Sequence, residues 1–253
     1  MEEHSFWIAE EANRIFGPIV APLKNAICSA VYGAFGLSYA PSEKVIPDHI
    51  TFAVIIFVFC TIFFPLVRRS FSMERPGKIQ QILELTIEFL QGQLDEIIGH
   101  GGQKYLPMIA TIGVFVLLMN LSGQIPGFNP PTGNINVTVG CALVVFIYYN
   151  YLGIRKQGLL HYLKHFAGPV WWLAPLMIPI EIISHLARPF SLSVRLFANI
   201  FGEHLIVGVF FMLLPLVLPL PIMALGLFTA FLQAFIFMVL TMIYIAGAVA
   251  EEH

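Results

Sequence analysis

Charge is what this sequence has least of. Asp, Glu, Lys and Arg make up only 11% of its 253 residues, against roughly a quarter in soluble domains. With 58% hydrophobic residues, the chain lacks the polar surface that a soluble protein of this length would need. Cysteine is scarce too. Cys28, Cys60 and Cys141 are odd in number and widely spaced, which excludes a disulfide framework or a metal site and leaves them as small hydrophobes. A cleavable signal would begin with a basic region before an apolar core, but this start carries Glu2, Glu3, Glu10 and Glu11. No fixed-period repeat or low-complexity tract stands out. A phosphate-cradling Gly-rich loop with its lysine is also missing, so no nucleotide site, enzyme chemistry or cofactor is expected.

What the sequence does have is long apolar runs. A bilayer core of roughly 30 Å needs about 20 apolar residues in a helix. Runs at 50–67, 105–121 and 137–152 meet or approach that length. Two more, 174–214 and 220–249, exceed it and are parted by Pro215, Pro219 and Pro221. Basic residues set the expected orientation. Arg68, Arg69, Arg75, Lys78 and Lys104 flank one side of the first two spans, and Arg155, Lys156 and Lys164 follow the third. The segments 122–136 and 215–221 hold no Lys or Arg. The expectation is therefore an all-α integral membrane protein with five crossings, its N-terminus outside and its C-terminus cytoplasmic. Residues 1–49 form an external interfacial segment, with a helix expected at 19–39, and residues 50–253 a polytopic membrane domain.

Between the first two spans, residues 76–98 place Ile79, Ile82, Leu83, Leu90, Leu94 and Ile97 at helical spacing among Glu84, Glu88, Asp95 and Glu96. This predicts an amphipathic helix at the cytoplasmic surface, docked on a partner protein or on its own bundle.

The fourth long run contains a polar stripe. Glu181, His185, Arg188, Arg195, Asn199 and Glu203 fall within an arc of roughly 80° on a helix, with His204 nearly opposite Arg195. The stripe runs about 33 Å, comparable to the membrane thickness. A charge at the centre of a membrane helix costs on the order of 2.5–3.5 kcal/mol on insertion scales. Such a stripe must face protein or water, and a line of titratable groups suits a path for protons or hydrated ions. The competing reading is an internal ion-pair network in which Glu181 or Glu203 neutralises an arginine. On the last helix Gln233 and Tyr244 lie near one face, with Thr241 nearby. An antiparallel turn brings Gln233 about level with Arg195, as a second wall or as an interhelical hydrogen bond.

The run Arg195-Leu196-Phe197-Ala198-Asn199-Ile200-Phe201-Gly202-Glu203-His204-Leu205 resembles the arginine helix of subunit a of F-type ATP synthases. The closing run from Gln233 to Thr241, continuing to Glu251-Glu252-His253, is similar to the bacterial C-terminus of that family. Pro76-Gly77-Lys78, Met119-Asn120-Leu121 and Asn136-Val137-Thr138 extend the likeness over nearly everything from Ile50 onward.

The resemblance implies a proton-channel stator subunit in a bacterial plasma membrane, with the last two helices forming a long tilted hairpin around a rotating c-ring. Two offset half-channels would load and unload the ring's carboxylates. Peripheral-stalk b subunits and, through the stalk, the F1 sector are the further partners implied. No nucleic-acid partner is expected. Arg195 matches the family's arginine that faces the ring carboxylate, Asn199 the polar residue one turn on, and Gln233 the glutamine opposite. His204 stands where Glu or His lines the outer half-channel, Glu181 near the cytoplasmic one, and Ser191 at a small polar position. Tyr244 completes the expected path. The sequence departs from the family at Gly123 and Asn134, where acidic residues are common, and at Gly226, where a partner for His204 is expected. The outer half-channel would then rely on Asn134, Asn136, Glu203, His204 and water.

Fainter signals read as ordinary membrane-protein features. His161 and His165 are taken as interfacial histidines and Trp171 and Trp172 as an interface anchor. A secondary transporter would show paired broken helices in an internal repeat, and none is found.

Overall fold

The computed structural model describes residues 7–34, 45–69, 71–72, 76–99, 101–125, 130–158, 174–213 and 219–249. His161, His165, Lys164, Trp171, Trp172, Arg75, Pro215 and the closing Glu251, Glu252 and His253 lie outside the described residues. The elements are α1 (Trp7–Ala34), α2 (Asp48–Arg69), α3 (Lys78–Ile97), a 3-10 turn at Gly102–Tyr105 and α4 (Leu106–Ser122). A second 3-10 turn at Pro131–Gly133 leads into α5 (Ile135–Gln157), followed by α6 (Ala174–Leu213) and α7 (Pro219–Val249). Among the described residues there is no strand, and five helices are long and apolar enough to cross a membrane. All five coincide with the apolar runs of the sequence.

Local signals account for the helix ends. Asp48 stands in the first turn of α2 and Arg68 and Arg69 in its last, each matching the sign of the helix dipole there. Pro107 opens α4, where a missing N–H costs nothing. Asn134 caps α5, its Oδ1 accepting from the Asn136 amide at 3.0 Å. Gly158 ends α5 with φ at +81°, a conformation that glycine adopts freely. The 40 residues of α6 and 31 of α7 correspond to about 60 Å and 46 Å, well beyond one bilayer crossing, which fits the long tilted hairpin. Pro179 and Pro189 sit inside α6 without ending it.

The core lies where α4, α5, α6 and α7 pack together. Ile109, Val116, Met119, Val145, Leu196, Phe237, Met242 and Ile245 are buried there. One contact is especially close: a Cβ at Gly113 would come within 2.1 Å of Met238 Sδ, so the absent side chain lets α4 and α7 approach. At the far end of α7, Lys156 Nζ donates to the Val249 carbonyl at 2.9 Å and Gln157 Nε2 to the Ala248 carbonyl at 3.3 Å. The end of α5 thus bonds two carbonyls at the end of the described part of α7.

One expectation needs correction. The interfacial helix placed at 19–39 begins at Trp7 and runs through Pro18 and Pro22 to Ala34. Tertiary ties compensate for its prolines. Asn13 exchanges two hydrogen bonds with the Ile46 backbone (2.7 and 2.8 Å), and Lys24 donates to the Val45 carbonyl at 2.8 Å. The helix expected at 76–98 is found as α3. Leu90 and Leu94 are buried against the bundle, and Phe89 meets the Phe235 ring at 5.8 Å. Ile79 and Ile82, in the first turns, are exposed. In the first turn Gln80 is buried and exchanges hydrogen bonds with Ser72, and the turn after the helix passes through Gly101 at a φ of +94°.

Candidate functional site

The stripe on α6 runs along the border between a buried and an open face. Leu192, Leu196 and Ile200 anchor the buried side at 1% exposure or less. Ser191 and Arg195 point to the open side and are exposed, while Glu181, His185, Arg188, Asn199, Glu203 and His204 are half-buried. The stripe therefore meets both this chain's own helices and whatever lies outside them.

Among the described residues, no arginine of the stripe is paired with a carboxylate. Among the described residues the one ion pair is Arg14 with Glu11, exposed on α1. Neither Arg188 nor Arg195 has a carboxylate within 4.0 Å among those residues. An internal ion-pair network is not seen among the described residues. Arg188 instead lies over the Tyr244 ring at 5.7 Å, a cation–π geometry that holds the charge without neutralising it.

Glu203 is engaged elsewhere. Gln124 Nε2, just beyond the end of α4, donates to Glu203 Oε1 at 2.6 Å. The carboxylate fills the space beside Gly226 of α7, where a Cβ would lie 1.6 Å from Oε1. Glu203 Oε2 is buried and has no hydrogen-bond partner among the described residues. His204 also faces the end of α4: a Cβ at Gly123 would sit 3.1 Å from its Nε2. The two glycines that depart from the family pattern therefore face ionisable side chains, Gly226 facing Glu203 and Gly123 facing His204. This answers what stands opposite Gly226. The residue there is Glu203, not His204.

Other buried polar atoms lie at this end of the bundle. Asn120, fully buried near the end of α4, has neither amide atom partnered among the described residues, and the Thr132 hydroxyl in the second 3-10 turn has no partner either. Buried polar atoms without protein partners ordinarily bond water. The antiparallel pairing of α6 with α7 follows from two contacts, Arg188 with Tyr244 and Glu203 with Gly226. Between them, Gln233 falls opposite the turn from Leu196 to Asn199, within one turn of Arg195. Its side chain is 5% exposed, and its Nε2 has no partner among the described residues. Thr241 donates to its own helix, at Phe237 O.

At the opposite end, α5 supplies partners for the stripe. His185 Nε2 lies 2.8 Å from Asn150 Oδ1 and 3.4 Å from the Tyr149 hydroxyl. The Tyr149 and Tyr244 rings are 5.8 Å apart. Asn134 and Asn136 are not brought to Glu203 by any contact found. Asn134 caps α5, and Asn136 lines an apolar cavity of about 290 Å³ between α2, α4 and α5 with Ile50, Val54, Phe57 and Phe115.

Sequence reasoning missed Gln124, Tyr149 and Asn150. Asn150 carried a usable signal, an amide inside an apolar span. Gln124 carried none, because its link to Glu203 bridges 79 positions that only the fold brings together.

Residues 49–246 match the family described as ATP synthase A chain. Similar proteins include "ATP synthase subunit a 1" of Syntrophotalea carbinolica, 48% identical over 81% of this chain and 87% of that one. "ATP synthase subunit a" of Solibacter usitatus is 46% identical over 89% and 96%, and that of Geobacter sulfurreducens 47% over 81% and 89%. With five apolar spans and the arginine stripe within the matched region, this chain belongs to the ATP synthase A chain family.

Proposed function

We propose that this chain is the proton-conducting stator subunit of a rotary ATP synthase in a bacterial inner membrane. Its N-terminus lies outside and its C-terminus in the cytoplasm. The observation that carries this reading is Arg195: an exposed guanidinium on an apolar helix, with no carboxylate within 4.0 Å among the described residues. A charge so placed is too costly to leave in lipid, so its counter-charge comes from another subunit. A ring of rotor subunits with intramembrane carboxylates fits, and family membership supports that partner along with peripheral-stalk b subunits and an F1 sector.

In this mechanism a proton enters from outside among Asn120, Glu203 and His204, then passes Asn199 to a rotor carboxylate. The neutral acid turns through lipid, where an ion would be costly. It releases its proton on the other side of Arg195, near Ser191, into a path ending at Glu181 and flanked by Tyr244. Arg195 favours the ionised rotor carboxylate by proximity and bars cations from passing directly between the two half-channels. Gln233, within a turn of Arg195, supplies a buried amide to the same region. Each proton crossing 100 mV yields about 2.3 kcal/mol, so several pass for each ATP made on other subunits.

The test is reconstitution. The chain alone should conduct no coupled proton current, and coupling should appear only with the rotor ring and the catalytic sector. Coupled transport by the isolated chain would identify a self-contained transporter instead.

A further inference from the structure

One charge of the stripe has no part in that mechanism. Arg188 lies seven residues before Arg195, about 10 Å along the helix and about 20° around it, so both side chains leave one face. The exposed Ser184 and Ser191 share that face. Like Arg195, Arg188 has no carboxylate within 4.0 Å among the described residues. Glu181, the acid of the stripe on that side, is two turns further on, about 10 Å along the axis. His185, one turn before Arg188, faces Asn150 of α5 at 2.8 Å. What holds Arg188 is the Tyr244 ring of α7, 5.7 Å from the guanidinium carbon and itself 5.8 Å from the Tyr149 ring. A π face positions a cation without supplying a counter-charge. The residue is half-buried, so the bundle places its charge while leaving part of the side chain open.

The spacing of the two arginines matters because of how α6 meets the membrane. Exposed apolar side chains recur from Leu176 to Leu213. Forty residues, about 60 Å of helix, fit an apolar core of roughly 30 Å by steep tilting. A helix so inclined runs more along the membrane than across it. Most of the separation between Arg188 and Arg195 is then a step parallel to the membrane. Rotor segments that carry a carboxylate through lipid are helices. Packed side by side, such helices stand about 8–10 Å apart. The step between ring carboxylates and the step between arginines are nearly the same length.

We propose that Arg188 is a second docking charge for the rotor: with one ring carboxylate at Arg195, its neighbour stands at Arg188. The assignment rests on the stator reading above. In that reading the acid arriving from lipid gives its proton to water between Ser191 and Glu181. The O–H bond breaks there and its electron pair stays on the carboxylate. Arg188 holds the anion so formed until the next step brings it to Arg195. An opposite charge about 4–6 Å away favours an ionised carboxylate by about 1–3 pKa units, so Arg188 promotes release on the side where the mechanism requires it.

The test uses the whole complex in inverted membrane vesicles. Disulfide formation under a mild oxidant is measured between a cysteine replacing the rotor carboxylate and either Arg188→Cys or Arg195→Cys. Both pairs should cross-link, whereas Ser193→Cys, on the buried side of α6, should not. ATP-driven pumping gives a second readout. Arg188→Gln should lower it about tenfold or more, the equivalent of one pKa unit of lost pairing, with chain and rotor content unchanged. Arg188→Lys keeps a cation that Tyr244 can hold and should recover most of the pumping. A cross-link from position 195 but none from 188, native pumping in Arg188→Gln, or equal losses in Arg188→Gln and Arg188→Lys overturns the assignment. If neither position cross-links, the stator reading falls with it.

Discussion

The carboxylate of Glu203 occupies the place a side chain at Gly226 would take, with a Cβ there 1.6 Å from Oε1. The clash is with the end of a flexible side chain, not with backbone. Gly226→Ala should therefore leave the bundle assembled but expel the carboxylate and break its bond to Gln124. The expected result is a fall in ATP-driven proton pumping of about tenfold or more, set by loss of one charge-assisted hydrogen bond worth about 1.5–3 kcal/mol. Pumping in membrane vesicles, normalised to the amount of chain, checks it.

Gln124→Leu removes the donor held at 2.6 Å by Glu203 Oε1, and Oε2 already has no partner among the described residues. A half-buried carboxylate with neither oxygen held should cost about 1–3 kcal/mol. Lowered thermal stability of the detergent-solubilised complex, together with slower pumping, is the expected outcome. Glu203→Gln in the same background should recover stability without recovering pumping.

This pair shows what could and could not be seen in the sequence. The five spans were legible, because about 20 apolar residues in a row have few other uses. The stripe was legible by helical periodicity, and its open and buried sides agree with a border position. What could not be read was which helix each polar side chain would meet. Gln124 and Glu203 are far apart in sequence, and Gly226 signals only by having no side chain. The apolar pattern at 19–39 does not show that α1 starts at Trp7, where Asn13 and Lys24 tie the helix to residues 45 and 46. The apolar pattern of α3 marked a helix, and Leu90 and Leu94 of that pattern are buried.

Gly113→Ala should drive a methyl into Met238, whose Sδ would lie 2.1 Å away. Overpacking of this kind costs about 1–3 kcal/mol. The melting temperature of the complex should fall, and Met238→Ala in the same chain should recover part of the loss by making room. Failure of the second substitution to help would show that α4 and α7 are not in contact there.

Lys156→Met removes the ammonium that bonds the Val249 carbonyl at 2.9 Å. Loss of a cation at a helix C-terminus costs about 0.3–1 kcal/mol. The effect should be local, with faster amide hydrogen exchange over the last turn of α7 and unchanged exchange at Phe237 and Thr241 in its middle.

The most direct test of the account is ATP-driven proton pumping by vesicles carrying Arg195→Ala in an otherwise native complex. The account predicts no coupled pumping, with chain, rotor and stalk subunits present in normal amounts. Arg195→Lys should also fail, since an ammonium does not reproduce the planar guanidinium. Native pumping or full ATP synthesis with alanine at position 195 would contradict it.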